Sequence, residues 1–399
     1  QPAVAGRHGS ATGQGARSKR AAEFSSMSGG STAGGGTGAR LADIGEFGLI
    51  ERVVLPLAKR ADDLTQVGDD CTFIEAGNET LVVTADVGPR PLIRSLAAHR
   101  DDWEASGWLA VVATASDVAS AGAKPLMLTN CVDAPANLEV AVLERFMRGY
   151  FKALNAFGFR NGGGDLRQGP ELAARVFGVG TLGGVRRIGR SGARPGDRLV
   201  VVGPAGSFMS RYLLAAEAER GGSAFPATTP DDDTLRFPRP QLQAMRILAE
   251  HDLLLAASDT SDGLLGAIGN IGRASRCGFA LELHDDLLSP EVRSAAAIPR
   301  VGSPWNLFFT WGDWSVAAVV DRERVVEFER ICEQHVLDWR PLGWVTADAG
   351  ALNAVLNHRD YSVTPIRNEN FLDRGFNSGL QGHLDYVLST PVLPRGPSP

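Results

Sequence analysis

The sequence predicts an α+β fold divided into two domains. Segments with strand periodicity and segments with helix periodicity alternate across residues 41–188, and the alternation starts again after residues 190–197. Those eight residues carry glycine and proline at turn positions, which marks a boundary. With 399 residues, 44% of them hydrophobic, the chain is long enough for two cores. We therefore predict an N-terminal domain over residues 41–188, a C-terminal domain over residues 189–348, and an extension of unknown role over residues 349–399.

Residues 1–40 stand apart from this pattern. They consist mainly of glycine, serine, alanine and arginine, so they cannot bury enough apolar surface to offset the entropy of ordering. We expect this segment to be disordered or in part an artificial addition, because the first methionine is Met27.

In the N-terminal half, hydrophobic spacing and terminating residues define each element. Apolar residues recur at helical spacing from Ile44, an apolar strand ends near Asp86, and Gly122 stops a long helix. The predicted elements are a helix from residue 44, strands at 81–84, 126–132 and 172–178, and helices at 103–121 and 138–157.

The C-terminal half repeats the alternation. Leu264, Ile268 and Ile271 share one helix face, and short apolar runs between the helical patterns predict buried strands. The predicted elements are strands at 199–202, 279–283 and 315–320, and helices at 207–220, 240–250, 263–276 and 322–336.

Composition excludes several classes of function. The formal net charge of -6 leaves no basic footprint for a nucleic acid, and no apolar stretch is long enough to span a membrane. The four cysteines stand far apart without metal-ligand spacing, which favours reduced thiols and a cytoplasmic location. We expect a small-molecule substrate, no nucleic acid partner and no membrane.

Aspartates recur at strand ends and beside glycines. Carboxylate oxygens are the ligands that Mg²⁺ takes from proteins, together with waters and nucleotide phosphates. The pattern therefore predicts magnesium–nucleotide chemistry. The acids, with the glycines beside them, are Gly68-Asp69-Asp70, Asp86, Asp117, Gly163-Gly164-Asp165, Asp259 and Asp262.

Asp117 is the most informative of these acids. It lies inside the predicted helix 103–121 on a stripe of small residues. Residues 111–123 contain no lysine or arginine, so a basic partner for Asp117 would have to come from a distant part of the sequence. Two carboxylates about 4 Å apart repel by about 4 kcal/mol at an effective dielectric near 20. Several converging carboxylates would need cations. Residues 162–164 and 178–180 are glycine-rich and would allow backbone N–H groups to approach phosphates, although no P-loop motif is present.

These motifs together resemble the thiamine-monophosphate kinase branch of the superfamily that includes aminoimidazole ribonucleotide (AIR) synthetase, selenophosphate synthetase and a hydrogenase maturation protein. The resemblance covers roughly residues 44–345, in the family's order. The segments that carry it are Gly45-Glu46-Phe47, Gly68-Asp69-Asp70-Cys71, 106–123, Gly163-Gly164-Asp165, 190–197 and 258–264.

The resemblance implies a two-domain AIR synthetase-like fold. Its N-terminal β-α-β half would pair with a second copy into a dimeric β-barrel, and its C-terminal half would form an α/β sandwich. The implied protein is a homodimer that binds ATP and Mg²⁺ near the dimer interface. The family's metal-binding acids match Asp69 or Asp70, Asp86, Asp117, Asp165, Asp259 and Asp262. The expected nucleotide contacts are Gly68, Asp86, Gly163, Gly164 and Asp165.

The acceptor side differs from the family pattern. The acidic, histidine-containing segment of the family's kinases is replaced here by residues 87–94, and their Gly-Gly-Glu-Asp-Tyr-Glu segment is replaced by residues 310–315. Arginine suits a phosphate or carboxylate and tryptophan offers a stacking face. The candidate acceptor residues are Arg90, Arg94, Trp311, Asp313 and Trp314.

The predicted reaction is Mg²⁺-dependent transfer of the γ-phosphoryl group of ATP to a small-molecule acceptor, with thiamine monophosphate or another compound as that acceptor. Positioning and electrostatics suffice for this chemistry. Asp117, Asp165 and Asp262 are the predicted catalytic residues. Two alternatives stay open: a synthetase that activates an amide or formyl oxygen by phosphorylation, and a non-catalytic nucleotide-binding regulator.

Overall fold

The computed structural model describes residues 39–60, 68–221, 233–366, 371 and 379–394. The segment 1–40, for which we predict disorder, lies outside the described residues except for its last two. Within the described residues, two sheets with associated helices confirm the α+β fold with two domains.

The N-terminal domain contains a five-stranded sheet. Its strands are β1 (Thr72–Ala76), β2 (Glu79–Val87), β3 (Lys124–Ala134), β4 (Arg160–Gln168) and β5 (Ala173–Thr181). Their spatial order is β1-β2-β5-β3-β4, with antiparallel pairing throughout except that β4 runs parallel to β3 at the edge. The helices of this domain are α1 (Leu41–Leu49), a π-helical turn (Ile50–Val54), α2 (Leu55–Arg60), α3 (Trp103–Ser120) and α4 (Val140–Phe157).

Helix α3 forms the centre of this domain. The side chain of Asp102 caps it by accepting from the N–H of Ala105 at 3.0 Å. Glycines let α3 and α4 cross closely, because a Cβ at Gly107 would lie 1.8 Å from the carbonyl oxygen of Phe146 and one at Gly149 would lie 1.9 Å from that of Glu104. These two glycines therefore let the backbones of α3 and α4 come into contact.

The C-terminal domain contains a seven-stranded sheet. Its strands are β6 (Arg198–Val202), β7 (Leu254–Asp259), β8 (Gly278–Leu283), β9 (Val316–Val320), β10 (Trp339–Thr346), β11 (Leu352–Leu356) and β12 (Arg359–Ser362). Their order is β12-β11-β8-β10-β6-β9-β7, and the β11–β8 pair is parallel while the others are antiparallel. The helices are α5 (Ser207–Glu219), α6 (Leu242–Glu250), α7 (Leu264–Ser275), α8 (Pro290–Ala295), α9 (Pro304–Phe308), α10 (Val325–Gln334) and α11 (Gly379–Ser389).

The two domains share packed surfaces. Three apolar residues of the N-terminal domain are buried in the core of the C-terminal domain, namely Leu92, Ile93 and Leu96. In the opposite direction, Trp314 joins the core of the N-terminal domain. Burial of apolar side chains on both sides of the junction fixes how the strand ends of one domain face the other.

Hydrophobic periodicity located the predicted helices and strands in order, but several elements were missed. Strand β4 and the strands after residue 339 have no clear strand signal, and residues 352–362 extend the second sheet although we predict an extension of unknown role from residue 349. No described helix combines the length and apolar character that a membrane crossing requires. The dimeric β-barrel and the domain boundaries stay predictions.

Candidate functional site

Three carboxylates meet where the two domains join. Asp70 precedes β1, Asp117 lies on α3, and Asp259 ends β7, yet one oxygen of each lies within 4.8 Å of the others. Asp259 is buried, and Asp70 and Asp117 are partly buried. We call these three residues the acidic cluster. Both domains are needed to assemble it.

Asp117 is fixed by its neighbours on β2 and α3. The hydroxyl of Thr84 donates to Oδ2 of Asp117 at 2.5 Å. The carbonyl of Asp117 accepts from the hydroxyl of Ser120 at 2.8 Å and from the thiol of Cys71 at 3.2 Å. The helix therefore presents this carboxylate in one orientation.

The neighbouring acids Asp69 and Asp70 have different roles in the structure. Oδ1 of Asp69 accepts from the backbone N–H of Arg190 at 2.9 Å, and a Cβ at Gly189 would lie 2.4 Å from Oδ2 of Asp69. Asp69 thus contacts the interdomain segment, whereas Oδ2 of Asp70 accepts from the N–H of Asp259 at 3.1 Å. The sequence leaves Asp69 and Asp70 as alternatives, and the structure places Asp70 in the acidic cluster.

Arg190 is the cation that the sequence analysis did not find. Its Nε donates to Oδ1 of Asp70 at 2.8 Å, and its Nη2 forms an ion pair with the same oxygen. Its Nη1 donates to the carbonyl of Gly68 at 2.8 Å, and the nucleotide-contacting role of Gly68 stays a prediction. The partner stands 120 residues away in sequence, and only its place in the interdomain segment could have signalled it.

The loop after β7 carries the C-terminal acids. Gly263 adopts φ +85°, a left-handed conformation that favours glycine, and its N–H donates to the carbonyl of Thr260 at 2.9 Å. The hydroxyl of Ser261 donates to Oδ1 of Asp259 at 3.0 Å. This tight turn follows Asp259 at the end of β7 and places Asp262 just before α7.

Burial and mutual repulsion raise the pKa values of the buried acids at the domain junction. Burial raises the pKa of Asp117 well above its usual range, and repulsion from Asp259 and Asp70 adds to the effect. Burial, with repulsion from Asp70, raises the pKa of Asp259 to about 8. Burial raises the pKa of Asp262 to about 7. A divalent cation would relieve this repulsion.

Glu46 on α1 adds negative charge near two of these acids. Burial raises the pKa of Asp86 to about 6, with a contribution from Glu46. Glu46 also repels Asp262 and adds to its raised pKa. In the sequence Glu46 is only part of a family motif, whereas the structure places its charge close to two predicted metal ligands, Asp86 and Asp262.

Asp165 lies in the folded structure away from the acidic cluster. It is on the edge strand β4, its side chain is 63% exposed, and Arg167 approaches it at 3.9 Å. Strands β5 and β3 separate β2 from β4, so Asp86 and Asp165 are about 14 Å apart at the usual strand spacing. The single chain does not bring Asp165 to the acidic cluster, and its catalytic role stays a prediction.

The glycines predicted to approach phosphates lie in strands. A Cβ at Gly164 would lie 2.2 Å from the carbonyl oxygen of Asn130, so this glycine permits the pairing of β4 with β3. Gly163 has φ +83° on the same exposed strand. The nucleotide-binding role of Gly163 and Gly164 stays a prediction.

The two candidate arginines on the acceptor side have protein partners. Arg90 is exposed and forms an ion pair with Glu171. Arg94 donates from Nε to the carbonyl of Arg100 at 3.0 Å, and its guanidinium lies 3.4 Å from the ring centroid of Trp103. The structure gives both arginines local roles, and their contact with an acceptor stays a prediction.

The segment 310–315 has three distinct environments. The carboxylate of Asp313 accepts from the N–H groups of Gly206 and Phe208 at 2.7 and 2.8 Å, at the start of α5. Trp314 is buried at φ +54° against the N-terminal core. Trp311 is partly exposed and donates to His383 at 3.0 Å. Only Trp311 keeps part of its surface accessible.

A separate cavity of about 680 Å³ lies between the domains. Its lining includes Trp108, Lys152, Arg211, Asp313 and Arg340, but none of the acidic cluster within the described part of the chain. The cavity and the acidic cluster are therefore different places in the fold.

The residues of the acidic cluster fit a divalent cation. The donor set is three carboxylates, all hard oxygen ligands, and its spacing of at most 4.8 Å allows one ion to contact all three. Burial, together with mutual repulsion, raises the pKa values of Asp117 and Asp259, and a bound cation would compensate both costs. The arrangement can hold Mg²⁺ beside a phosphate-bearing ligand.

Comparison with known families identifies both domains. Residues 68–183 match the family model of the AIR synthase related protein N-terminal domain, and residues 194–352 match that of its C-terminal domain. Thiamine-monophosphate kinase of Escherichia coli (strain K12) is 30% identical over 285 residues, which are 67% of this chain and 82% of that protein. The enzyme of the same name from Prochlorococcus marinus is 27% identical over 295 residues, 72% of this chain and 82% of that protein.

Solved structures show the same fold. The structure described as AaThiL complexed with AMPPCP and TMP has a TM-score of 0.68 at 24% identity and covers 84% of this chain and 100% of that one. Hydrogenase maturation protein HypE in complex with ATP has a TM-score of 0.56 at 18% identity and covers 83% and 96% of the two chains. The matched domains and relatives show that the chain belongs to the AIR synthase related family, in its thiamine-monophosphate kinase branch.

Proposed function

We propose that this protein transfers the γ-phosphoryl group of ATP to the phosphate of thiamine monophosphate. The observation that carries the proposal is the acidic cluster, which both domains assemble at one point and whose residues lie in the family's motifs. The relatives that cover most of the chain are named for this reaction.

The reaction is a simple displacement at phosphorus. A phosphate oxygen of the acceptor forms a bond to the γ-phosphorus, and the bond from that phosphorus to the β,γ-bridging oxygen breaks. ADP leaves with the electron pair, and no oxidant or second co-substrate is needed. Mg²⁺ bound at the acidic cluster would neutralise the charge of the triphosphate.

The protein's own residues supply orientation. Thr84 fixes the carboxylate of Asp117, and Arg190 holds Asp70 against the N–H of Asp259. Asp86 and Asp262 stand in the same negative field, and we assign them to metal binding on the family resemblance. Preorganised charges of this kind stabilise charge that moves during the transfer.

We also propose that the protein acts as a homodimer, as the resemblance implies. Phe177 is 42% exposed on β5 and Val87 is 59% exposed at the end of β2, so the N-terminal sheet carries accessible apolar side chains. Analytical ultracentrifugation should show a species of twice the chain mass, and a monomer at micromolar concentration would contradict this part of the proposal.

The test is a turnover assay with ATP, Mg²⁺ and thiamine monophosphate that resolves ADP, free phosphate and thiamine diphosphate. We expect ADP and thiamine diphosphate in equal amounts and no free phosphate. Free phosphate produced with an amide-bearing acceptor would favour the synthetase alternative. Binding of ATP without ADP formation would contradict the proposal and favour a regulatory protein.

A further inference from the structure

Helix α11 lies beyond the residues that match the family, and it is packed firmly against the C-terminal domain. The family match ends at residue 352, and α11 spans Gly379–Ser389. The side-chain amide of Asn306 donates to the carbonyls of Val387 at 2.8 Å and Thr390 at 2.6 Å. Leu384, Val387 and Leu388 are buried in the same core as α5 and α7. This helix is therefore an integral part of the domain.

One polar side chain of α11 contacts the acceptor-side segment. His383 is fully buried, and its Nε2 accepts a hydrogen bond from the indole Nε1–H of Trp311 at 3.0 Å. The two rings lie 5.8 Å apart and 32° from parallel. Indole can only donate, so the bond needs a neutral imidazole, and burial lowers the pKa of His383 to about 4. The bond is intact at neutral pH.

The Trp311 segment is joined in turn to the loop that bears Asp259 and Asp262. The N–H and the hydroxyl of Thr260 both donate to the carbonyl of Ser315, at 3.1 and 3.0 Å. The N–H of Leu264 donates to the carbonyl of Phe309 at 3.1 Å. A Cβ at Gly263 would lie 3.7 Å from the backbone nitrogen of Trp311. The backbone of Trp311 therefore lies next to the turn that holds Asp259 and Asp262.

We infer that Trp311 is a specificity-determining side chain for the phosphoryl acceptor and that His383 is the positioning residue that fixes its indole. The inference rests on the proposed function and deepens it. The indole is partly exposed, and its backbone lies beside the turn that bears the acids. It suits an acceptor with a flat, positively charged heteroaromatic ring, because such rings bind over the face of tryptophan. The thiazolium ring of thiamine monophosphate belongs to this class.

Steady-state kinetics can separate positioning from general stability. Trp311→Ala should raise the KM for thiamine monophosphate at least tenfold, and His383→Leu at least fivefold, with the KM for ATP within twofold of wild type. Gln places an amide oxygen near the position of Nε2, so His383→Gln should restore the KM for thiamine monophosphate to within twofold. Trp344→Phe is the matched control, since Trp344 pairs with Arg198 at the far end of the sheet.

A second measurement does not depend on turnover. The indole N–H signal of Trp311 is assigned in a ¹⁵N-tryptophan NMR spectrum by its loss in Trp311→Phe. We expect it to shift in His383→Leu, and to shift in wild type when thiamine monophosphate is added with Mg²⁺ and a non-hydrolysable ATP analogue.

The outcomes distinguish the inference from the proposed function. Thiamine diphosphate formation by wild type with an unmoved Trp311 signal, or with both KM values raised equally in His383→Leu, overturns the inference and leaves the proposed function standing. Absence of thiamine diphosphate from wild type overturns the proposed function. In that case a Trp311 signal that thiamine monophosphate does not move overturns the inference as well, and one that it moves supports the binding role.

Discussion

The acidic cluster and Asp165 both come from the family's acidic motifs, yet the structure gives them opposite surroundings. Asp70, Asp117 and Asp259 converge from two domains, whereas Asp165 is exposed on an edge strand. A buried carboxylate lowers stability unless a cation or a hydrogen-bond donor compensates it, while an exposed one has almost no such cost. The motif alone therefore does not determine which acids converge within the single chain.

The largest expected effect comes from Asp117→Asn. Loss of one charge from the acidic cluster should lower kcat about 100-fold or more, because this carboxylate is one of the three that would hold the cation. The variant should also melt at a higher temperature than wild type without Mg²⁺, since repulsion from Asp259 and Asp70 is relieved. Steady-state assays and thermal melts measure the two effects.

Asp286→Asn is the matched control for this prediction, since Asp286 is exposed on a short 3₁₀ turn. Its kcat and melting temperature should equal those of wild type. A near-normal kcat in Asp117→Asn would remove Asp117 from the mechanism.

The next effect concerns Arg190, which compensates Asp70 at the domain junction. Arg190→Gln should lower the free energy of unfolding by about 3 kcal/mol, because it leaves a nearly buried carboxylate without its cation. Mg²⁺ should restore part of the loss. Urea denaturation with and without Mg²⁺ measures both quantities.

Arg220→Gln serves as its control, because the Arg220–Glu217 pair is on the surface and should contribute less than about 1 kcal/mol. Equal destabilisation in the two arginine variants would show that the Arg190–Asp70 pair has no special role at the junction.

A smaller effect follows from the titration of His383. Its pKa falls from 6.5 to about 4 on folding, so the unfolded chain binds the proton more tightly. The contribution of the neutral, buried His383 to the free energy of unfolding is fully present above pH 6.5 and is lost as the pH falls toward 4. Between pH 7 and pH 5 wild type should therefore lose about 1 to 2 kcal/mol more stability than His383→Gln. Parallel pH dependences of urea unfolding in the two proteins would contradict this.

The smallest effect on the fold is expected for Asp165→Asn. An exposed acid with one distant partner should change the free energy of unfolding by less than about 0.5 kcal/mol. If the predicted catalytic role is right, kcat should still fall about 100-fold. A kcat within twofold of wild type would confine the reaction to the acids at the domain junction.

The sequence allowed prediction of elements whose hydrophobic period is strong. Helix α3 spans Trp103–Ser120 against a predicted 103–121, because nearly every side chain in it is buried and Gly122 ends it. Strand β4 was not predictable, since its sequence RNGGGDLRQ has little strand preference and forms only by pairing with β3. Local propensity cannot report a partner strand.

The same limit applied to the site. The acids were identifiable because an aspartate at a strand end, near a glycine or on a stripe of small residues is a local signal. The choice of Asp70 over Asp69, the pairing with Arg190 and the contact between Trp311 and His383 depend on segments 72 to 189 residues apart. Such contacts are decided by tertiary packing, so no motif in either segment records them.

Electron paramagnetic resonance with a non-hydrolysable ATP analogue can measure the affinity for Mn²⁺ in wild type, Asp117→Asn and Asp165→Asn. Our hypothesis is that the acidic cluster holds the divalent cation. It predicts at least tenfold weaker binding in Asp117→Asn and binding within threefold of wild type in Asp165→Asn. Unchanged affinity in Asp117→Asn, or an equal loss in both variants, would contradict it.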